Sequence, residues 1–312
     1  MELSLLLLRQ VTVMGIMVVA AMLLVKTRIL RPEDGRIVSV VATYIVNPVV
    51  LFNAFLIEYD AEKLRTLLIL IGIGLALQIA AILVLRILRR PLKLDDIDRA
   101  SIIYSNAGNL VIPLVQAMLG SEAVFYCSAF LVSQNLFLWT HGYVLVSGMK
   151  KVSVRRILLT PNIIAIILGI IVFVTGLTLP ELITDTAEQI SQTNAAINMF
   201  AVGIILGGVN YREVFTDLKY YLIDGIRLVV CPLLVILFLY VTKLERYIPD
   251  GHTALMILMI GMSASPAMAL TNIAAMSGRI DEAKKASALN SMGLIFSIVT
   301  MPLMVLIYES IF

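Results

Sequence analysis

Ten long uncharged apolar stretches, joined by short charged connectors, constrain this chain more than any other feature. They run over about residues 5–27, 36–57, 65–88, 99–119, 123–147, 160–179, 190–209, 219–241, 253–277 and 285–308. A bilayer core takes roughly 20 apolar residues per helix, and open sheet edges cannot persist in lipid. The stretches therefore read as transmembrane helices. Composition agrees: 60% of the 312 residues are hydrophobic and 14% charged, against roughly 25% charged in soluble domains. Too little charge remains to cover a soluble surface of this size, which excludes a cytosolic enzyme. The net charge of +3 is scattered in small clusters, which argues against a nucleic-acid partner. Cys127 and Cys231 lie within apolar runs without metal-ligand spacing, so no metal, cofactor or redox compartment is implied. The first stretch does not read as a signal peptide, because Arg9 interrupts it early and it then continues to about Val25.

The basic residues orient the spans. Lys26, Arg28, Arg31 and Arg36 follow the first stretch, and Arg86, Arg89, Arg90, Lys93 and Arg99 the third. Lys150, Lys151, Arg155 and Arg156 follow the fifth, Arg212, Lys219 and Arg227 the seventh, and Arg279, Lys284 and Lys285 the ninth. Only Arg9, Lys63, Arg65, Lys243 and Arg246 of the 24 lie on the other side. The positive-inside rule places odd-numbered connectors in the cytoplasm and both termini outside, in a cell (inner or plasma) membrane.

Two spans share a pattern. The fourth reads Ser105-Asn106-Ala107-Gly108-Asn109-Leu110-Val111-Ile112-Pro113, and the ninth Gly261-Met262-Ser263-Ala264-Ser265-Pro266 onward to Thr271-Asn272. Pro113 and Pro266 stand 153 residues apart. That offset also lays spans one to three onto spans six to eight, while span five falls about eight residues early on span ten. Five spans per half invert a duplicated unit. The expected fold is an all-α polytopic membrane protein of ten helices in two inverted five-helix repeats, residues 1–149 and 150–312, with broken helices four and nine. Evenly spaced spans would also align by chance.

Proline removes a backbone donor, and a broken membrane helix is tolerated only inside protein or beside a water-filled cavity. The residues after Pro113 and Pro266 would begin half-helices whose N-termini carry unpaired N–H groups and partial positive charge. Two such ends aimed at one spot make an anion site without a basic side chain, and no Lys or Arg stands at the centre of a span. Asn106, Asn109, Ser263, Ser265, Thr271 and Asn272 would supply further donors. The plainer alternative is two proline kinks with polar residues joining helices.

Other polar residues at depth are weighed the same way. Asn47-Pro48 offers another break, and Asn47, Asn53, Gln134, Asn135 and Asn198 are candidates to line a cavity. Gly203-x-x-x-Gly207 reads as close helix packing. His141 reads as a hydrogen-bonded structural residue or a pH-sensitive one. Asp224 alone among the acids enters a span, about one turn in, with Arg227 three residues on. It reads as an interfacial ion pair or, alternatively, a proton or cation site. Asp95-Asp96-x-Asp98 reads as a charged loop face.

Four stretches together resemble the auxin efflux carrier family, which includes plant carriers and bacterial permeases for malate and malonate. They are Asn106 through Pro113-Leu114; Pro161-Asn162-Ile163-Ile164-Ala165 through Gly169 to Leu179-Pro180; the proline at Pro266; and Ser297-Ile298-Val299-Thr300-Met301-Pro302-Leu303. The chain departs from the family pattern at Val111, where a glycine usually precedes Ile-Pro, at Asn109, and at Thr160-Pro161-Asn162. It also lacks the long loop of plant members. The resemblance implies a scaffold and a transport domain, with helices four and nine crossing beside the substrate and an elevator-like shift. Asn106, Pro113 and Pro266 match the crossover pattern, and a homodimer is implied by resemblance only.

The expected function is secondary transport of a small organic anion, a carboxylate such as a dicarboxylate or an auxin-like acid. Substrate contacts are expected from Asn106, Asn109, Pro113, Ser265, Pro266, Thr271 and Asn272, with ion coupling through Asp224 or His141. A bile-acid-type sodium symporter is the nearest alternative. An intramembrane enzyme (Gly261-x-Ser263, with Ala264 where glycine should follow) and a channel stand further off.

Overall fold

A computed structural model describes residues 2–149 and 159–312. The expected repeat boundary, and with it Lys150, Lys151, Arg155 and Arg156, lies outside the described residues. Among the described residues there is no β-strand, only an isolated antiparallel bridge between Ser105 and Pro266. Among the described residues six helices are long and apolar enough to cross a membrane: Asp34–Asn53, Ala61–Leu88, Ser121–Ser147, Glu181–Gly207, Leu218–Thr242 and Ile280–Ile311. Three shorter apolar helices accompany them, Ala107–Leu119, Pro161–Thr175 and Gly251–Ser263, together with the 25-residue helix Glu2–Lys26. Every residue from Ala254 to Ser263 is buried, as expected of a helix that is apolar all round.

The chain forms two compact units, each assembled from separated segments. The first comprises Met1–Leu64, Gly108–Ser128 and Leu158–Val209; the second Arg65–Ala107, Ala129–Ile157 and Asn210–Phe312.

In the first unit, the Glu2–Lys26 helix packs on Asn194–Gly207. A Cβ on Gly203 would lie 2.3 Å from the Val18 carbonyl oxygen, and one on Gly207 2.7 Å from Val25 Cβ. The Gly-x-x-x-Gly spacing thus lets the backbones approach. Phe55, Phe125 and Phe173 form an aromatic cluster, with ring centroids 4.8 Å apart for Phe55–Phe125 and 5.2 Å for Phe125–Phe173. The helix before Asn194 starts at Glu181, nine residues ahead of the expected span. Its Glu181, Asp185 and Glu188 made it look like a connector, yet they are one face of an amphipathic helix.

The second unit gathers Tyr104, Leu138, Ile223, Leu270, Ala274 and Leu289 into one core. Its Asp96–Ile103 helix begins with a capping box: Asp98 N–H donates to Asp95 Oδ1 at 2.9 Å, and Asp95 N–H to Asp98 Oδ2 at 2.9 Å. Lys219 pairs with Asp98 at 2.6 Å, and Lys285 pairs with both Asp95 and Asp98. The acid triplet read as a loop face therefore ties the starts of three helices together.

Pro48 and Pro113, expected to break helices, do not interrupt them, and neither does Pro232. Pro48, Pro113 and Pro232 each stand two residues after a π-helical segment, Ala42–Val46, Ala107–Val111 and Ile226–Val230 respectively. A π turn shifts the hydrogen-bond register by one residue, which absorbs the missing proline donor and relieves the ring's clash.

Candidate functional site

The fourth apolar stretch does break, but not at Pro113. Helix Asp96–Ile103 ends at Tyr104, whose backbone is extended (φ −103°, ψ 127°), and helix resumes at Ala107. Pro113 is buried within the resumed helix. In the ninth stretch Gly251–Ser263 ends at an extended Ala264, and Met268–Met276 begins after Ala267, with Pro266 between them. Residues 104–106, where the chain is not helical, include neither proline nor glycine.

Both breaks lie in the second unit, side by side and antiparallel. Asn106 N–H donates to the Ser265 carbonyl at 2.8 Å, and Ala267 N–H to the Tyr104 carbonyl at 2.9 Å. Extended backbone in a membrane interior needs such partners. Ser105 therefore faces Pro266, 161 residues on, rather than Pro113 facing it. Side chains complete the frame. Gln134 Oε1 accepts from Ser105 N–H at 3.1 Å and from its hydroxyl, and Gln134 Nε2 donates to the Ser105 carbonyl at 2.6 Å. Asn290 Nδ2 donates to the Pro266 carbonyl.

Arg227 overturns the interfacial ion-pair reading. It is 0% exposed and donates to carbonyls at the ends of both half-helices. Nε reaches Ala264 O at 2.9 Å, Nη1 reaches Ile102 O at 3.0 Å and Ile103 O at 3.3 Å, and Nη2 reaches Gly261 O at 3.3 Å. Helix C-termini leave orphan carbonyls that water cannot reach here, and a guanidinium carries five donors in a fixed fork. Its charge also suits the negative ends of the two helices. A basic group thus does stand deep in the protein, one that the i,i+3 spacing from Asp224 disguised. Asp224 is 1% exposed, and neither carboxylate oxygen has a hydrogen-bond partner among the described residues. It lies against the second break: a Cβ on Gly293 would be 2.5 Å from Pro266 Cδ, 3.3 Å from Asp224 Oδ1 and 3.4 Å from Ser265 Cβ.

The other predicted residues divide between the units. In the second, Asn106 Nδ2, Ser265 Oγ and Thr271 Oγ1 are buried without hydrogen-bond partners among the described residues. Ser263 bonds back to Ile260 O at 2.8 Å, Asn272 is exposed, and Asn135 is half-buried. His141 Nδ1 is 2.8 Å from the Tyr104 hydroxyl. In the first unit, Asn47 Nδ2 donates to Asn109 Oδ1 at 3.1 Å, and Asn198 Nδ2 to Asn47 Oδ1 at 3.1 Å and Asn194 Oδ1 at 2.8 Å. Asn194 Nδ2 donates to Gln116 Oε1 at 2.8 Å. Asn53 Nδ2 donates to Glu188 Oε2 at 2.8 Å. Arg227, Asn290 and Gly293 were not singled out as site residues.

The sequence profile described as membrane transport protein matches the chain twice, over residues 7–151 and 146–305. No curated protein matches it. The two matches cover nearly all of the described helices. The chain belongs to the membrane transport protein family, that of the auxin efflux carriers, and is an integral membrane transporter.

Proposed function

We propose that the protein is a secondary carrier, not an enzyme, for a small organic anion, a carboxylate such as a dicarboxylate or an auxin-like acid. The observation that carries this reading is the pair of antiparallel breaks with unused buried donors, Asn106 Nδ2 and Ser265 Oγ, beside them. The half-helix that starts at Met268 lies in the same unit, so its free N–H groups and positive dipole end add to those side chains. Thr271 Oγ1, one turn into that half-helix, offers a third unused hydroxyl. Arg227 holds the opposite, negative helix ends, which keeps the breaks rigid without occupying the anion position.

In this reading the long and short apolar helices together make ten spans, and the two profile matches are inverted five-helix repeats. The termini are extracytoplasmic and the membrane is the inner or plasma membrane, as the basic connectors direct. The second unit carries the substrate in an elevator-type alternating-access cycle. A homodimer fits the family.

One observation favours a coupled carrier. An unpaired buried carboxylate is costly, so Asp224 beside Ser265 and Pro266 is placed to take a proton or a small cation. Saturable flux in proteoliposomes tests both readings, using labelled malate, malonate, indole-3-acetate and a bile acid with and without sodium or proton gradients. Uptake of one acid, abolished by Asn106→Ala, supports the anion site. Sodium dependence lost in Asp224→Asn selects the symporter, and proton dependence lost there selects proton coupling. No flux of any acid by folded protein would sink the organic-anion reading.

A further inference from the structure

A cavity of about 570 Å³ opens in the second unit where the Ala61–Leu88 helix ends. Arg86, Arg89, Arg90, Arg99 and His141 line it, together with Ile82 and Ile87. Among the described residues, two of the four guanidinium groups have a carboxylate within 4.0 Å. Asp96 lies 3.8 Å from Arg89 and 3.3 Å from Arg99, while Arg86 and Arg90 form no ion pair within 4.0 Å among the described residues. Arg99 is the fixed member. It is 7% exposed, and its buried Nε has no hydrogen-bond partner among the described residues. His141 is fixed too. Its Nδ1 is held at 2.8 Å by the hydroxyl of the fully buried Tyr104, which leaves Nε2 for the cavity. Gly142 makes that contact possible, since a Cβ there would lie 2.7 Å from Tyr104 Cε2.

So many like charges around one hollow repel each other unless an anion fills it. Arginine forks match phosphate oxygens in pairs, which a carboxylate-sized site does not require in such number. The cavity wall is also apolar on one side. Ile87 is 76% exposed, and Ile82 continues the same lipid-length helix. We propose that this cavity binds a phosphate ester anion, with the headgroup of an acidic phospholipid as the ligand that fits both walls. The phosphate lies among Arg86, Arg90 and Arg99, and the acyl chains run along Ile82 and Ile87.

Purified protein in detergent is tested with phosphatidylglycerol, phosphatidylcholine, glycerol 3-phosphate and malonate, reading lipid retention and melting temperature. Phosphatidylglycerol is expected to be retained over phosphatidylcholine and to raise the melting temperature. Arg86→Gln with Arg90→Gln, two exposed positions, should melt unchanged without lipid and hold phosphatidylglycerol about 25-fold more weakly, roughly fivefold per charge. Arg31→Gln with Arg36→Gln, exposed in the first unit, should bind as wild type. Stabilisation by glycerol 3-phosphate without lipid retention would keep the phosphate site and make its source soluble. Equal retention of both lipids, equal weakening by the two double variants, or stabilisation by malonate alone would each overturn the proposal.

Discussion

The two units bury polar side chains in opposite ways. In the first, amides answer amides: Asn47, Asn109, Asn194, Asn198 and Gln116 form one chain of hydrogen bonds across helices. In the second, backbone and side chains secure the two breaks, yet among the described residues Asn106 Nδ2, Ser265 Oγ and both oxygens of Asp224 remain unused. The amide network holds helices together although Asn198 Oδ1 within it has no partner among the described residues, whereas the orphaned groups of the second unit gather at a secured break. Neither polarity at depth nor a single orphaned atom therefore marks a site by itself; several orphaned groups gathered at one secured break do.

The hardest blow to that contrast is Arg227→Leu. It removes the donors to four carbonyls, each costing about 1–3 kcal/mol when left buried and unpaired. Folded, monodisperse protein should be lost altogether, and Arg227→Lys, with a single ammonium, should recover only part of it. Size-exclusion profiles and denaturant titration check this. An Arg227→Leu protein that melts normally would mean the breaks do not depend on the cap.

Gly293→Ala comes next. Its methyl would press on Pro266 Cδ at 2.5 Å, and overpacking of that kind costs about 1–3 kcal/mol. Flux should fall with it, because the displaced groups are Pro266, Ser265 and Asp224. Gly72→Ala, on the Ala61–Leu88 helix with nothing within 4 Å, should lose neither stability nor flux. Thermal melts paired with uptake assays separate the two.

The asparagines sharpen the contrast most directly. Asn198→Ala removes bonds to Asn47 and Asn194 and should cost about 1–2 kcal/mol while sparing uptake in the protein that remains folded. Asn106→Ala removes an unused Nδ2, so its loss of stability should be smaller than that of Asn198→Ala while uptake disappears. The reverse pattern would exchange the roles of the two clusters.

Much of this was legible in advance, for physical reasons. Hydropathy locates apolar helices because lipid demands them, and the small-residue spacing at Gly203 and Gly207 announces a close approach. The first break was misplaced because a proline was taken as its cause. At Tyr104–Asn106 the cause is pairing with residues about 160 positions away, which no local pattern encodes. The π segments before Pro48, Pro113 and Pro232 are likewise a matter of hydrogen-bond register, invisible in side-chain order. Arg227 was assigned to Asp224 because i,i+3 neighbours on a helix can meet. The free carbonyls that claim it exist only once two other helices have stopped beside it.

The smallest effect concerns charges that are satisfied, where the second unit behaves like the first. Burial alone would raise the Asp95 carboxyl. The hydrogen bond from Lys285, the backbone bond within the capping box and the Lys285 and Lys219 charges outweigh that and hold it below its ordinary value of 3.8. A carboxyl depressed on folding adds stability that is fully present above the unfolded value. That stability disappears as pH falls through the folded one. Asp95 is about half exposed, so the contribution is below about 1 kcal/mol. Wild-type melting should be flat from neutral pH to about pH 5 and decline below about pH 4, with Asp95→Asn starting lower and showing a shallower acid decline. Identical acid slopes in the two proteins would mean that the Lys285 and Lys219 contacts add nothing to Asp95 in solution. The tie between the starts of Asp96–Ile103, Leu218–Gly225 and Ile280–Ile311 would then rest on Asp98 alone.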